Sequence, residues 1–316
     1  MNIPRYWISL FLLLLAGLIS TRLGVSPYLF FAGYVVLQYV VLATAWNILG
    51  GYAGYVNFGV AGFFGIGVYS TVVVTKLGGL PLPLEIAVAA LVAGLAGLGM
   101  GYLTLRLRGV FFSIATLALA IVVQTLVLNW DFVGGARGAT IAVPASTTGF
   151  SNYVHWLFVC MLVLSAIAVS TARWIERGWI GRGLAAIRDD EDSAECSGVP
   201  TLRLKLLATT LSGALMGAAG ASYPLYVGYV DPYSAFSLSL AVNTVAMPLV
   251  GGMRDWRGPV AGAVLLGTVQ VVTGVTSLSE ISQLLIGALL VLFVILAPNG
   301  LMGLVPSASV VRRLPA

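Results

Sequence analysis

Long apolar runs recur along this chain, and nothing else in the sequence restricts its folds so tightly. They lie near Tyr6–Thr21, Tyr28–Leu49, Tyr52–Thr75, Leu84–Leu105, Val110–Trp130, Tyr153–Ala172, Leu204–Tyr223, Phe236–Val250, Gly258–Thr276 and Ile281–Ala297. Most are long enough to cross about 30 Å of hydrocarbon as a helix, and the first, eighth and tenth are short. The pattern predicts an all-α polytopic membrane protein of about ten transmembrane helices, with residues 1–316 forming one integral-membrane domain. Charged residues are only 9% of the chain, against roughly 25% in ordinary soluble domains. The N-terminal RYWISLFLLLLAGLIS resembles a signal-peptide core, yet no small-x-small cleavage site follows, so it reads as an uncleaved first span.

The few charges then set the orientation, because basic residues concentrate in cytoplasmic loops. With the N-terminus inside, Arg5, Arg106, Arg108, Arg173, Arg177, Arg182, Arg188, Arg203, Lys205, Arg254, Arg257, Arg312 and Arg313 are cytoplasmic, while Arg22, Lys76 and Arg137 face out. Both termini are therefore expected inside. The net charge of +5 reflects this loop bias and gives no reason to expect nucleic acid as a partner.

One loop gathers most of the charge. In Gly181–Pro200, GRGLAAIRDDEDSAECSGVP, five of the eleven acids lie between Asp189 and Glu195. Leu184 and Ile187 stand three apart, on one face of a short helix. Asp190 is a candidate N-cap for a second helix, Glu191 and Asp192 suit its first turn, Gly198 suits its C-terminal stop, and Pro200 prevents continuation. Two short helices between long spans form either a docking surface or a solvated connector. As a docking surface they would offer Leu184 and Ile187 to a groove on a partner.

The third run, GGYAGYVNFGVAGFFGIG, carries glycine at 50, 51, 54, 59, 62, 65 and 67. Glycine disfavours a helix by up to about 1 kcal/mol relative to alanine. So many of them imply close helix packing or a broken helix beside a cavity, with Asn57 the polar group to watch. Small residues recur at Gly94, Gly97 and Gly101, and again at Ser212, Gly213, Gly217, Gly220 and Ala221, suiting helix contacts. An outward loop carries GGARG with Gly134 and Gly135, and Pro248, Gly251 and Gly252 interrupt the eighth run. Asn57, Gly59, Gly62, Gly134, Gly135 and Pro248 are the candidate pathway or gate residues.

Catalytic chemistry has little to build on. His155 is the sole histidine, Cys160 and Cys196 fall in different environments, and neither Lys76 nor Lys205 lies in a phosphate-binding loop. No run has an acid or base at its centre, and Glu85 and Lys205 lie at run ends. That argues against a proton relay.

GRGLAAIRDDEDSAECSGVPTLRLKLLATTLSGALMGAAGA resembles the cytoplasmic loop and following span of permease subunits from the branched-chain amino-acid ABC importer family, of the LivM type. NILGGYAGYVNFGVAGFFGIGVYS and VGGMRDWRGPVAGA are similar to other segments of that family, so the resemblance runs from about Trp46 to Gly303. It implies a bacterial inner-membrane subunit paired with a homologous permease, with two ATPase subunits docked inside and a periplasmic substrate-binding protein outside. ATP and magnesium would bind the ATPase subunits, leaving this chain no cofactor and no catalytic residue. The loop, about residues 174–203, would be the ATPase-coupling element, with Gly183, Leu184, Ile187, Arg188, Asp190, Glu191, Glu195 and Gly198 as its candidate residues. The chain departs from the family at Tyr55, Asn57 and Val60, where Gln, Ser and His are frequent, in GGARG, and at Arg254–Asp255. Branched-chain or related hydrophobic amino acids lead as substrates, with urea, short amides and aromatic acids as alternatives. A stand-alone secondary carrier is the rival class.

Overall fold

The computed structural model describes residues 3–21, 26–104, 106–142, 152–275, 282–296 and 300–303. Nearly all of these residues are helical. The long helices are α1 (Ile3–Ser20), α2 (Pro27–Gly50), α3 (Val60–Lys76), α4 (Leu82–Thr104), α5 (Val110–Leu128) and α6 (Tyr153–Arg177). Two short helices follow, α7 (Trp179–Asp189) and α8 (Glu191–Cys196). Then come α9 (Thr201–Ala221), α10 (Tyr223–Val227), α11 (Pro232–Ala235), α12 (Leu238–Gly251), α13 (Arg257–Val275), α14 (Ser282–Leu296) and α15 (Gly300–Gly303). Among the described residues, six segments are long and apolar enough to cross a membrane: Pro27–Gly50, Leu82–Thr104, Val110–Leu128, Tyr153–Arg177, Thr201–Val227 and Pro232–Gly251. Tyr6–Ser20 and Val60–Lys76 are shorter apolar helices. Arg312 and Arg313, used in the orientation argument, lie outside the described residues, as does Arg22.

Helix α2 occupies the centre, packed by α6, α9, α12 and α13, and Tyr34, Leu42, Trp46 and Leu49 are fully enclosed. The small-residue faces of the fourth and seventh runs meet each other. A Cβ on Gly217 would lie 2.2 Å from the Ala93 Cβ, so α4 and α9 approach as closely as glycine allows. Helices α12 and α13 cross in the same way, where a Cβ on Gly262 would stand 1.9 Å from the Met247 carbonyl oxygen.

The third run differs from its expected Tyr52–Thr75 helix. Residues 51–59 are irregular and α3 starts only at Val60. Gly54 sits at φ 77°, a left-handed conformation that α-helix excludes. The freed backbone is satisfied locally. The Trp46 indole Nε1 donates to Asn57 O at 2.8 Å, the Asn57 Oδ1 accepts from Gly59 N at 2.7 Å, and the Thr116 Oγ1 accepts from Phe58 N at 3.1 Å.

Chain direction alternates, so the break, the α4–α5 turn, the α7–α8 pair and the α12–α13 turn gather at one end, called here the loop end. Among the described residues the opposite end carries a small two-stranded pairing, β1 (Ala139–Thr140) with β2 (Tyr229–Val230), antiparallel with Ala139 opposite Val230.

Candidate coupling site at the loop end

The α7–α8 pair is a polar element with an apolar underside. Helix α7 starts at Trp179, two residues before the expected Gly181, and buries Ile180, Gly181, Leu184 and Ile187. Leu184 is wholly enclosed, with Ile187 3% exposed, in the same core that contains Ile175 and Leu204. This corrects the expectation that Leu184 and Ile187 wait for a partner's groove. Their face is covered by α6 and α9 of this chain. Gly183 explains how α7 lies so near α9, since a Cβ there would stand 2.5 Å from the Leu204 Cδ1. The residues facing away are Trp179, Arg182, Asp189 and Asp190.

Asp190 caps α8, its Oδ1 accepting from Ser193 N at 2.7 Å, and that backbone hydrogen bond holds its carboxyl below the ordinary aspartate value. Gly198 closes the turn at φ 80°. The Thr201 hydroxyl donates to Glu195 Oε1 at 2.5 Å, tying the end of α8 to the start of α9.

Glu191 is the centre of the site. The Lys205 Nζ donates to its Oε1 at 2.5 Å, and the Tyr55 hydroxyl donates to its Oε2. Lys205 also donates to the Tyr55 hydroxyl at 3.2 Å and sits 4.9 Å from the ring centroid. The Lys205 side chain is 3% exposed and Glu191's 12%. Outside them, Arg108 reaches Glu191 at 3.7 Å and Asp192 at 2.9 Å. Burial raises the Glu191 pKa, but the hydrogen bonds from Lys205 and Tyr55 and the two positive charges outweigh it. Its carboxyl therefore titrates below the ordinary glutamate value.

Tyr55 belongs to the glycine break. So does the Gly51 carbonyl, which accepts from Arg188 at 3.4 Å, while a Cβ on Gly54 would stand 2.9 Å from the Arg188 Cγ. Tyr52 donates to Glu176 Oε2 at 3.3 Å, and Trp256 N donates to the same oxygen at 2.7 Å. The two unusual stretches of the sequence thus form one junction. Glu191 and Arg188 were singled out from the sequence; Tyr55, Lys205 and Arg108 were not singled out as partners. An ionisable Lys205 at the start of a span was the available signal, since such a group needs a counter-charge.

The remaining candidates lie elsewhere or play a packing part. Asn57 is 1% exposed, with its Nδ2 unpaired, and Gly59 and Gly62 let α3 approach α5 near Thr116 and Ala120. Gly134 and Gly135 shape the turn before β1 at φ 100° and 51°. Pro248 is buried within α12, its carbonyl accepting from Gly252 N at 2.7 Å. Among the described residues no group of three metal-ligating side chains occurs.

Long apolar helices around a central α2, with one short polar helix pair at their end, define a multi-pass membrane protein. Residues 28–294 match the family model "Branched-chain amino acid transport system / permease component", and the chain belongs to that family of permease subunits. It is 28% identical over 289 residues to the high-affinity branched-chain amino acid transport system permease protein LivM of Escherichia coli K12, covering 84% of this chain and 67% of that one. The corresponding LivH protein of the same strain is 25% identical over 150 residues, 48% of this chain and 46% of the relative. A metal-chelate-type ABC transporter solved in an inward-facing conformation aligns at 18% identity with a TM-score of 0.48, over 92% of this chain and 99% of that one.

Proposed function

We propose that the chain forms half of the translocation pathway of an ATP-driven importer for branched-chain or related hydrophobic amino acids. Its partners would be a homologous permease, two ATPase subunits on the loop side and a periplasmic binding protein opposite. ATP and magnesium would be held by the ATPases. On this reading there are about ten spans in a bacterial inner membrane, with the loop end and both termini in the cytoplasm. Arg106, Arg108, Arg173, Arg177, Arg182, Arg188, Arg203, Lys205, Arg254 and Arg257 gather at the loop end, against Lys76 and Arg137 at the other, which supports that orientation.

The observation that carries the coupling role is the Tyr55–Glu191–Lys205 junction. It joins the exposed loop to the break that begins α3 and to the first turns of α9. A push on α7–α8 would reach two core helices through it. The outward face, Trp179, Arg182 and Asp189, would meet the ATPase, while Leu184 and Ile187 brace the loop from beneath. Asn57, Gly59 and Gly62 would serve the pathway indirectly, by holding the break against α5.

The test is uptake of radiolabelled L-leucine into proteoliposomes holding this chain with the partners named above. Uptake that needs both internal ATP and the binding protein is the expected result. Uptake by the permeases alone, driven by a proton or sodium gradient, would overturn the reading in favour of a secondary carrier.

A further inference from the structure

A second carboxylate holds the glycine break, and it leads to a different pair of helices. Glu176 lies in the last turn of α6, just ahead of Gly178, where the chain bends into α7. The helix dipole disfavours an acid at a C-terminus, and a half-buried carboxylate needs hydrogen bonds to offset its lost hydration. Its Oε2 accepts two, from separate elements. The Tyr52 hydroxyl of the break donates at 3.3 Å, and Trp256 N, immediately before α13, donates at 2.7 Å. Each side of this tie ends on a stiff point. Gly178 N donates to the Trp174 and Ile175 carbonyls, both at 3.0 Å, and a Cβ on Gly181 would collide with the Ile175 carbonyl oxygen. The first turn of α7 is therefore pressed onto the last turn of α6. In the α12–α13 turn a Cβ on Gly251 would strike the Gly258 carbonyl oxygen, and one on Gly258 that of Gly252. Arg173, one turn earlier on α6, adds a second grip. Its guanidinium lies 3.6 Å from the Tyr6 ring centroid and 5.7 Å from that of Trp256.

We propose that Glu176 is a positioning residue for transport, carrying displacement of α7–α8 to the α12–α13 turn through the two hydrogen bonds its Oε2 accepts. A charge-assisted bond of 2.7 Å to a backbone N–H is among the stronger and more directional links a side chain makes. The Glu191 junction reaches α3 and α9. Glu176 adds α12 and α13, and Tyr52 ties both routes to the same break. The inference rests on the importer reading and deepens it, by naming how the loop grips the late helices.

The test uses the assembled complex in proteoliposomes, in a Cys160→Ser background, with spin labels on the exposed Cys196 and on Arg254→Cys, also exposed. With Glu176 in place, their distance is expected to stay constant between nucleotide states. Glu176→Leu is expected to make it shift between those states and to raise the ATP hydrolysed per leucine imported severalfold. A merely structural loss would lower hydrolysis and uptake together and leave that ratio alone. Glu176→Gln keeps an Oε1 acceptor and is expected to match the wild type in both readouts. Tyr52→Phe removes one of the two bonds and carries the test if Glu176→Leu fails to assemble, with changes in the same direction but smaller. A distance that stays constant in Glu176→Leu, or one that already shifts in the wild type, overturns the proposal. So does uncoupling by Glu176→Gln equal to that by Glu176→Leu. A distance freed by Glu176→Leu, with no ATP-driven uptake by the wild type, would instead sink the importer reading and leave the tie standing. ATP-driven uptake with a distance unmoved by Glu176→Leu would do the reverse.

Discussion

The two ends of the bundle are held together by different forces. At the loop end a mostly enclosed Lys205–Glu191 pair, with Tyr55 and Arg108, fastens an irregular backbone to a polar helix pair. At the other end the fastening is mainly backbone. Strands β1 and β2 pair, the Tyr229 hydroxyl donates to Arg137 O at 2.8 Å, and Lys76 donates to Phe132 O at 2.7 Å. Gly134 closes its turn so tightly that a Cβ would stand 2.0 Å from the Gly138 carbonyl oxygen. The difference teaches which end responds to charge. Side-chain ion pairs can be neutralised one at a time, whereas a backbone knot yields only to steric change.

The largest effect is expected from Lys205→Met. It leaves the Glu191 carboxylate, 12% exposed, with only the Tyr55 hydroxyl and the exposed Arg108, and removing one partner of a buried pair costs about 3–5 kcal/mol. Thermal unfolding of the purified complex should drop sharply, and an unchanged midpoint would show that the pair contributes nothing. At the opposite end Gly134→Ala places a side chain at φ 100° against a carbonyl. A loss of about 1–3 kcal/mol is expected from that strain. Unlike the loop-end variants, its loss should not vary with salt.

Tyr55→Phe should come next. It keeps the ring, which packs edge-on against Phe112 at 5.1 Å, and removes only the hydroxyl. A hydrogen bond to a charged group contributes about 1.5–3 kcal/mol, so a loss near the lower value is expected. Acid sharpens the contrast further. Because the folded Glu191 titrates below the ordinary value of 4.5, its contribution is complete above that pH and is lost as pH falls through the depressed folded value. The stability gap between wild type and Glu191→Gln should hold at neutral pH and close in acid. A gap that stayed undiminished as pH fell below 4.5 would mean that the carboxylate charge is not what binds the junction. Arg108→Ala, at an exposed side chain, should have the smallest effect and should be masked by salt.

Much of this was legible in the sequence. Apolar runs gave the helices, since lipid leaves the backbone few alternatives, and the small faces of α4 and α9 matched because only small residues permit that approach. Asp190 and Gly198 marked the ends of α8 because capping is local chemistry. Three things were not legible. Glycine spacing reads alike in a helix and in a break, so the start of α3 at Val60 was hidden. The three-residue spacing of Leu184 and Ile187 shows that they share a face, but not which body covers it. Tyr55 lies 136 residues from Glu191, and no local pattern announces a contact at that distance.

The central claim is that the loop and the glycine break move as one body. Spin labels on the native Cys196 of α8 and on Val56→Cys, in a Cys160→Ser background, would measure it directly across the ATP cycle of the assembled complex. A second pair, Cys196 with Tyr233→Cys near the opposite end, reports motion through the bundle. The account predicts a constant Cys196–Val56→Cys distance while the Cys196–Tyr233→Cys distance changes between nucleotide states. A loop that shifts relative to Val56→Cys when ATP binds would contradict it.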